Sequence, residues 1–239
     1  ITKHSKDSQG GLVTAGGGSE EQGFGSLRYG GASGANAHYR VYGKYFNRGG
    51  LADAAGYNAH DWQGWVSGGW RIDWKKSDRD ALTIQGDIHD TFSRENSMTI
   101  SLDSLFAPPF LSPVEFTGGN VLGRWNHVFS DRSDTTLQIY FDRARRNFIE
   151  TKERVDTFDV DFQHRLAIGR RQEIVWGLGY RLIYDRLEPG RPRSGEFIPR
   201  SQYNQIFSGF LQDELQLVKI RLKLTIGSKL EHNDYVGFE

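Results

Sequence analysis

Two short motifs put ligand-type side chains two residues apart: Asp87-x-His89 and Asp159-x-Asp161. In an extended chain residues i and i+2 share a face, so His with a carboxylate could take a transition metal and two carboxylates a hard cation. Neither pair has a third or fourth ligand at a supporting spacing, and a charged, hydrated wall is the better reading. Arginine and aromatic residues gather in two other places. Arg94, Phe106, Phe110 and Phe116 lie in 93–118, and Arg186, Arg191, Arg193, Phe197 and Arg200 lie in or beside 185–202. Guanidinium groups pair with carboxylate or phenolate oxygens and stack on rings, so these segments could meet an anionic ligand, while ordinary loop packing accounts for any single member. No Ser/His/Asp arrangement and no phosphate-cradling loop stand out. No catalytic or metal-binding residue, no cofactor and no enzymatic chemistry is expected.

Composition narrows the scaffolds that could carry these groups. Thirty basic and thirty acidic residues leave a formal net charge of zero, which argues against a nucleic-acid binder held by phosphate contacts. Cys 0 removes disulfide frameworks and thiolate metal sites. No run approaches the ~18 apolar residues of a membrane helix, whereas a membrane β-barrel needs only about 9 to 11 alternating residues per strand. Gly 29 and an aromatic content of 13% favour strands and turns over helices.

The alternation itself is clearest at 62–75. Val66, Gly68, Trp70, Ile72 and Trp74 fall on one face, and Ser67, Gly69, Arg71 and Asp73 on the other. In a soluble sandwich the apolar face would point at a core; in an outer-membrane barrel it would point at lipid, with Trp at the interface and charges in a wet lumen. Eleven strands fit in all. Leu82, Ile84, Gly86 and Ile88 oppose Thr83, Gln85, Asp87 and His89; Val121, Gly123 and Trp125 oppose Arg124 and Asn126; Phe158, Val160 and Phe162 oppose Thr157, Asp159 and Asp161. Around 176–182, Trp176, Leu178, Tyr180 and Leu182 oppose Gly177, Gly179 and Arg181. Only strand ten, 203–217, is ambiguous, because Asp213 falls on the face of Phe207 and Leu211.

Connections from residue 33 onward alternate short and long, with long stretches at 47–61, 93–118 and 185–202. Pro108-Pro109 and Pro113 speak against a strand interior in the second of these. Tight turns at one end and long loops at the other are the asymmetry of an up-and-down outer-membrane barrel.

Several segments, taken in order, resemble the TonB-dependent outer-membrane receptor family. Ile1-Thr2-Lys3, followed by Asp7-Ser8-Gln9-Gly10-Gly11-Leu12-Val13, is similar to the family's junction between plug and first barrel strand. Gly119 to Trp125, Tyr140 to Arg143, Asp156 to Arg165, Phe210 to Glu214 and Gly227 to Tyr235 are similar to its barrel strands. The resemblance implies an all-β, antiparallel up-and-down transmembrane barrel, partial, with about 11 strands of an expected 22. Residues 1–10 would end a plug domain and 11–239 would form the N-terminal half of the barrel. The first residue is not Met and the last lies in a loop, which agrees with a segment of a larger protein.

The resemblance further implies active uptake of a scarce nutrient, most suitably a ferric siderophore, across the outer membrane of a Gram-negative type of cell. The partners implied are TonB, acting through parts outside this chain, the receptor's own plug, and outer-membrane lipid and lipopolysaccharide. Arg71, Asp73, Arg124, Asp159, Asp161 and Arg181 would face the plug from the lumen wall. Arg94, Phe106, Phe110, Arg191, Arg193 and Phe197 would lie on loops that meet substrate, although the phosphates of lipopolysaccharide could claim the same arginines. A passive porin of 10–12 strands and a soluble all-β carbohydrate-binding or adhesion module are the alternatives.

Overall fold

The structure is a computed structural model that describes residues 3–52, 56–97, 110–190, 197–218 and 221–238. A short 3₁₀ turn at Ser5–Ser8 precedes β1 (Gly10–Gly16), β2 (Gly23–Ser33), β3 (Ala37–Arg48), β4 (Gln63–Lys75), β5 (Asp80–Ser97) and β6 (Phe110–Ser130). Then come β7 (Ser133–Asn147), β8 (Thr151–Ile168), β9 (Gln172–Pro189), β10 (Ser201–Val218), β11 (Leu222–Asn233) and the two-residue β12 (Gly237–Phe238). They make one 12-stranded sheet in sequence order, each strand antiparallel to the next. It does not close on itself, and is a partial barrel.

The register keeps the period-two pattern in phase from strand to strand. Tyr39, Ile72, Ile84, Gly123, Ile139, Val160, Tyr180 and Phe207 are successive cross-strand partners and form one row across eight strands. The neighbouring row on the opposite face runs Arg40, Arg71, Gln85, Leu122, Tyr140, Asp159 and Arg181. A slip of one residue anywhere would exchange the two faces.

Burial is inverted relative to a soluble domain. Val114 is the only buried apolar side chain among the described residues, while Leu178 is 59% and Ile88 70% exposed. Buried positions are instead polar: Asp73, Asp159, Ser67 and Thr91 all lie on the inner face. An apolar face this continuous marks a surface meant for another apolar medium.

Short turns collect at one end, at 34–36, 76–79, 131–132 and 169–171. In one of them Lys75 Nζ donates to Asp78 Oδ1 at 2.7 Å and holds that carboxyl below its ordinary value. Trp125 and His127 reach back to Asp80 at 3.1 and 2.8 Å, and His127, Phe129, His164 and Trp176 extend an aromatic belt at the same level. Asp213 does share the outer face with Phe207 and Leu211. It sits low on β10, where its carboxylate accepts a hydrogen bond from Gln172 Nε2 at 2.8 Å.

At the other end the long connections at 47–61 and 185–202 remain, as 49–62 and 190–200, while strand takes over part of the third. The 93–118 stretch is strand over 93–97 and from Phe110 onward, and only 148–150 separate β7 from β8. Pro113 lies within β6, opposite Arg94. Pairing with β7 begins only at Glu115, so Pro113 sits where β6 has one neighbour and a missing N–H is tolerated as on an edge strand. Residues 98–109, with Pro108 and Pro109, lie outside the described residues. At 18 to 21 residues, β5, β6 and β8–β10 exceed the ~10 needed to cross an apolar band about 25 Å tall, so their upper ends stand clear of it.

Gly86 makes room for the neighbouring strand and for the Trp70 ring. A Cβ on Gly86 would lie 2.7 Å from the Asn120 carbonyl and 3.4 Å from Trp70 Nε1, whereas one on Gly123 would meet nothing within 4 Å. Gly86→Val should therefore destabilise the intact barrel by about 1–3 kcal/mol, read as a lowered unfolding midpoint, while Gly123→Val on the same face should leave it unchanged.

Candidate functional site on the inner wall

The inner face is a polar wall because period two places every second residue there. The six residues expected to line a lumen come from four strands, and the register gathers them into two adjacent rows. Arg71, Asp159 and Arg181 belong to the row that contains Gln85 and Tyr140. Asp73, Arg124 and Asp161 belong to the next, with Thr83, Gln138, Gly179 and Ser208 between and beyond them.

One end of this wall holds a docked segment. Asp73, 3% exposed, accepts from Ser5 N and Arg71 Nε through Oδ2, both at 2.8 Å, and from Arg71 Nη2 and Thr83 Oγ1 through Oδ1 at 2.8 and 2.7 Å. Four donors saturate a carboxylate, which makes its burial tolerable. Arg71 in turn donates through Nη1 to Gln85 Oε1 at 2.8 Å. From β3, Arg40 Nη1 reaches the Lys3 carbonyl at 3.1 Å and Ser8 Oγ at 3.2 Å. Gly30 completes the contact, since any Cβ there would land on the Ser8 carbonyl. The 3–8 segment is thus held against the inner wall by charged hydrogen bonds and close backbone contact immediately before the chain enters β1.

Farther round the sheet, Asp159, 6% exposed, is paired with Arg181 at 2.7 Å, and Arg124 Nε donates to Gln138 Oε1 at 3.0 Å. Arg124, Gln138, Asp161, Gly179 and Ser208 line a cavity of about 400 Å³ on the same face. Gly179 keeps it open, because a Cβ there would press 2.5 Å from Ser208 Oγ. The wall offers alternating donors and acceptors to a polar occupant.

Asp87 and His89 lie on this face too, and Asp87 Oδ1 accepts from Asn120 Nδ2 at 3.0 Å. Among the described residues no group of three or more His, Cys, Asp or Glu could hold a metal ion.

The loop candidates divide differently. Arg94 is not on a loop: it lies on the outer face of β5, its guanidinium 5.9 Å from the Trp62 ring centre. Phe110 opens β6, and Phe116, also within β6, packs edge-on against Phe148 at 5.4 Å. Arg186 belongs to β9, while Phe197 and Arg200 remain on the connection to β10. Phe106, Arg191 and Arg193 lie outside the described residues.

Ser5, Arg40 and Gly30 are contacts that the sequence pattern does not single out. Arg40 is legible as an inward position, but its partner on the 3–8 segment has no periodic signal.

No protein-family model matches the chain, and neither does any curated protein. Its fold, however, is found in solved structures. A ferric enterobactin receptor mutant from Pseudomonas aeruginosa aligns at a TM-score of 0.70 and 13% identity over 96% of this chain and 40% of that one. A siderophore receptor from Acinetobacter baumannii aligns at 0.69 and 11% over 96% and 39%. An outer membrane transporter from Escherichia coli aligns at 0.59 and 10% over 90% and 34%. At such identities the likeness is one of fold, and the chain spans less than half the length of these proteins.

Removing the hub should free the docked segment. Asp73→Ala takes away four hydrogen bonds, each to a charged acceptor and worth ~1.5–3 kcal/mol. Trypsin cleavage after Lys3 or Lys6 in the folded protein should then quicken by at least about tenfold, measured by mass spectrometry of timed digests. Ser201→Ala, on the outer face far from the segment, should leave the rate unchanged.

Proposed function

We infer that this chain is the N-terminal half of the barrel of a TonB-dependent outer-membrane receptor, residues 11–239, preceded at 1–10 by the end of a plug domain. The observation that carries the reading is the 3–8 segment, which lies on the charged inner wall and leads directly into β1. A chain that enters the first strand from inside the barrel is what a plug requires. A passive porin has no use for an anchored segment there.

The charged rows then have a mechanical role. Arg71, Asp73, Arg124, Asp159, Asp161 and Arg181 hold a polar plug by hydrogen bonds that exchange readily with water, so a pull from TonB in the periplasm can shift the plug without tearing an apolar core. Arg40, Arg71 and Asp73 fix its trailing end, so displacement propagates up to a hinge near Gly10, whose φ of 80° suits a sharp change of direction. Ligand meets the receptor at the opposite end, on the long hairpins, where Phe110 opens β6, and on the connection that carries Phe197 and Arg200. A ferric siderophore suits that end, because guanidinium groups pair with chelating oxygens and aromatic rings stack on the ligand. The fold of the siderophore receptors supports this substrate class. The protein would act in the outer membrane as a transporter and not an enzyme.

A passive porin of 10–12 strands would have to join β1 to β11 or β12. β1 has seven residues against eighteen in β8–β10, and the described residues show no such pairing.

The test is uptake by the full-length receptor. Cells that depend on it under iron limitation should accumulate radiolabelled iron from its siderophore, and should lose that uptake when TonB is deleted. Uptake that persists without TonB would favour the passive porin.

A further inference from the structure

Three arginines stand directly opposite one another on adjacent strands: Arg145 on β7 is the register partner of Arg154 on β8, and Arg154 is the partner of Arg186 on β9. All three project from the outer face, not the lumen, because each lies four residues, an even number, above the apolar row Phe141, Phe158 and Leu182. Like charges directly opposite on a sheet repel, so the row is unfavourable unless something neutralises it. Protein carboxylates do this only in part. Asp156 bridges Arg143, at 2.7 Å, and Arg154, and Glu188 pairs with Arg186 at 2.6 Å. Arg145 is exposed and has no hydrogen-bond or ion-pair partner among the described residues. Above the apolar band, the outer faces of β7–β9 carry Arg143, Arg145, Lys152, Arg154 and Arg186 against Asp156 and Glu188, a net charge of +3 in a chain whose net charge is zero.

Below Arg145 the surface changes character. A groove of about 450 Å³ runs down the outer face, with Ile88, Val121 and Phe141 along it and Arg143 and Arg145 at its upper end. Gly119 forms its floor, where a Cβ would sit 2.9 Å from Ile88 Cγ2. The arginine row lies four residues above Phe141, ~13 Å along the strand and ~10 Å along the normal for a strand tilted about 40°. A headgroup layer is ~5–8 Å deep on each side of the hydrocarbon, so this rise carries the row from the apolar band to headgroup level.

We propose that this patch is a binding site for a phosphorylated lipid of the outer leaflet, with a phosphate on Arg145 and its row and an acyl chain in the groove over Gly119. Guanidinium groups take a phosphate through paired hydrogen bonds, and the shared row places donors from three strands on one anion. The apolar groove continuous with the charged row selects a lipid headgroup over a free anion. The bound phosphate supplies the charge that Asp156 and Glu188 do not. This rests on the outer-membrane reading of the fold, but not on what the receptor transports.

The test uses the full-length receptor in detergent, with bis-phosphorylated lipid A, its dephosphorylated form and inorganic phosphate as probes and native mass spectrometry as readout. The native protein should retain bis-phosphorylated lipid A, and Arg145→Ala should weaken that retention about tenfold. Arg145→Ala removes no hydrogen bond or ion pair among the described residues, so it stays informative if the triple variant with Arg154→Ala and Arg186→Ala does not fold; if folded, the triple variant should abolish retention. Equal retention by native protein and Arg145→Ala would overturn the proposal. So would equal retention of dephosphorylated lipid A, or full displacement by millimolar inorganic phosphate. Fractionation of cells keeps the two readings apart. A receptor absent from the outer membrane overturns the membrane reading and the lipid site with it, whereas one present there with unchanged lipid retention overturns the lipid site alone.

Discussion

Everything in this structure depends on the backbone ladder staying in register across the sheet. Within a bilayer each N–H and C=O must find its partner inside the protein, and only continuous pairing between neighbouring strands does this for β structure. Once the ladder is fixed, side-chain placement is fixed with it. Odd and even positions are committed to opposite faces, and the same pairing that satisfies the backbone lines up Ile72, Ile84, Ile139 and Val160 outside and Arg71, Tyr140, Asp159 and Arg181 inside. The polar wall and the apolar skin are two consequences of one register. The open edges at β1 and β12 carry the same demand outward, and further strands would meet it.

This dependence explains how much of the molecule can be read from its sequence. Where an apolar face backs a polar one, alternation is sharp, as in β4 with Trp70, Ile72 and Trp74 against Arg71 and Asp73. There strand and face are both legible. Above the band both faces meet water and the signal disappears, although pairing continues through contacts such as Arg146 with Glu153 at 3.0 Å and Asn147 with Glu115 at 3.1 Å. The upper ends of β5 and β6 therefore read as loop, and Arg94 reads as a loop residue although it sits on a strand.

The inner wall is legible as a face but not as a set of contacts. Period two places Arg71, Asp73, Arg124, Asp159, Asp161 and Arg181 on one side, yet it cannot say that Asp73 would bind Ser5, 68 residues away. Non-periodic segments such as 3–8 take their conformation from the wall they meet. The same is true outside, where the arginine row exists only because three separate strands bring Arg145, Arg154 and Arg186 to one level.

The central claim is that the face bearing Leu178 meets lipid while the face bearing Asp161 meets water. Single cysteines answer it, since the chain has Cys 0. In outer membranes from cells making the full-length protein, Leu178→Cys should resist a membrane-impermeant maleimide and react with a lipid-soluble one, and Asp161→Cys should react with the impermeant reagent once the lumen is opened to it. Rapid labelling of Leu178→Cys by the impermeant reagent in intact membranes would contradict the account.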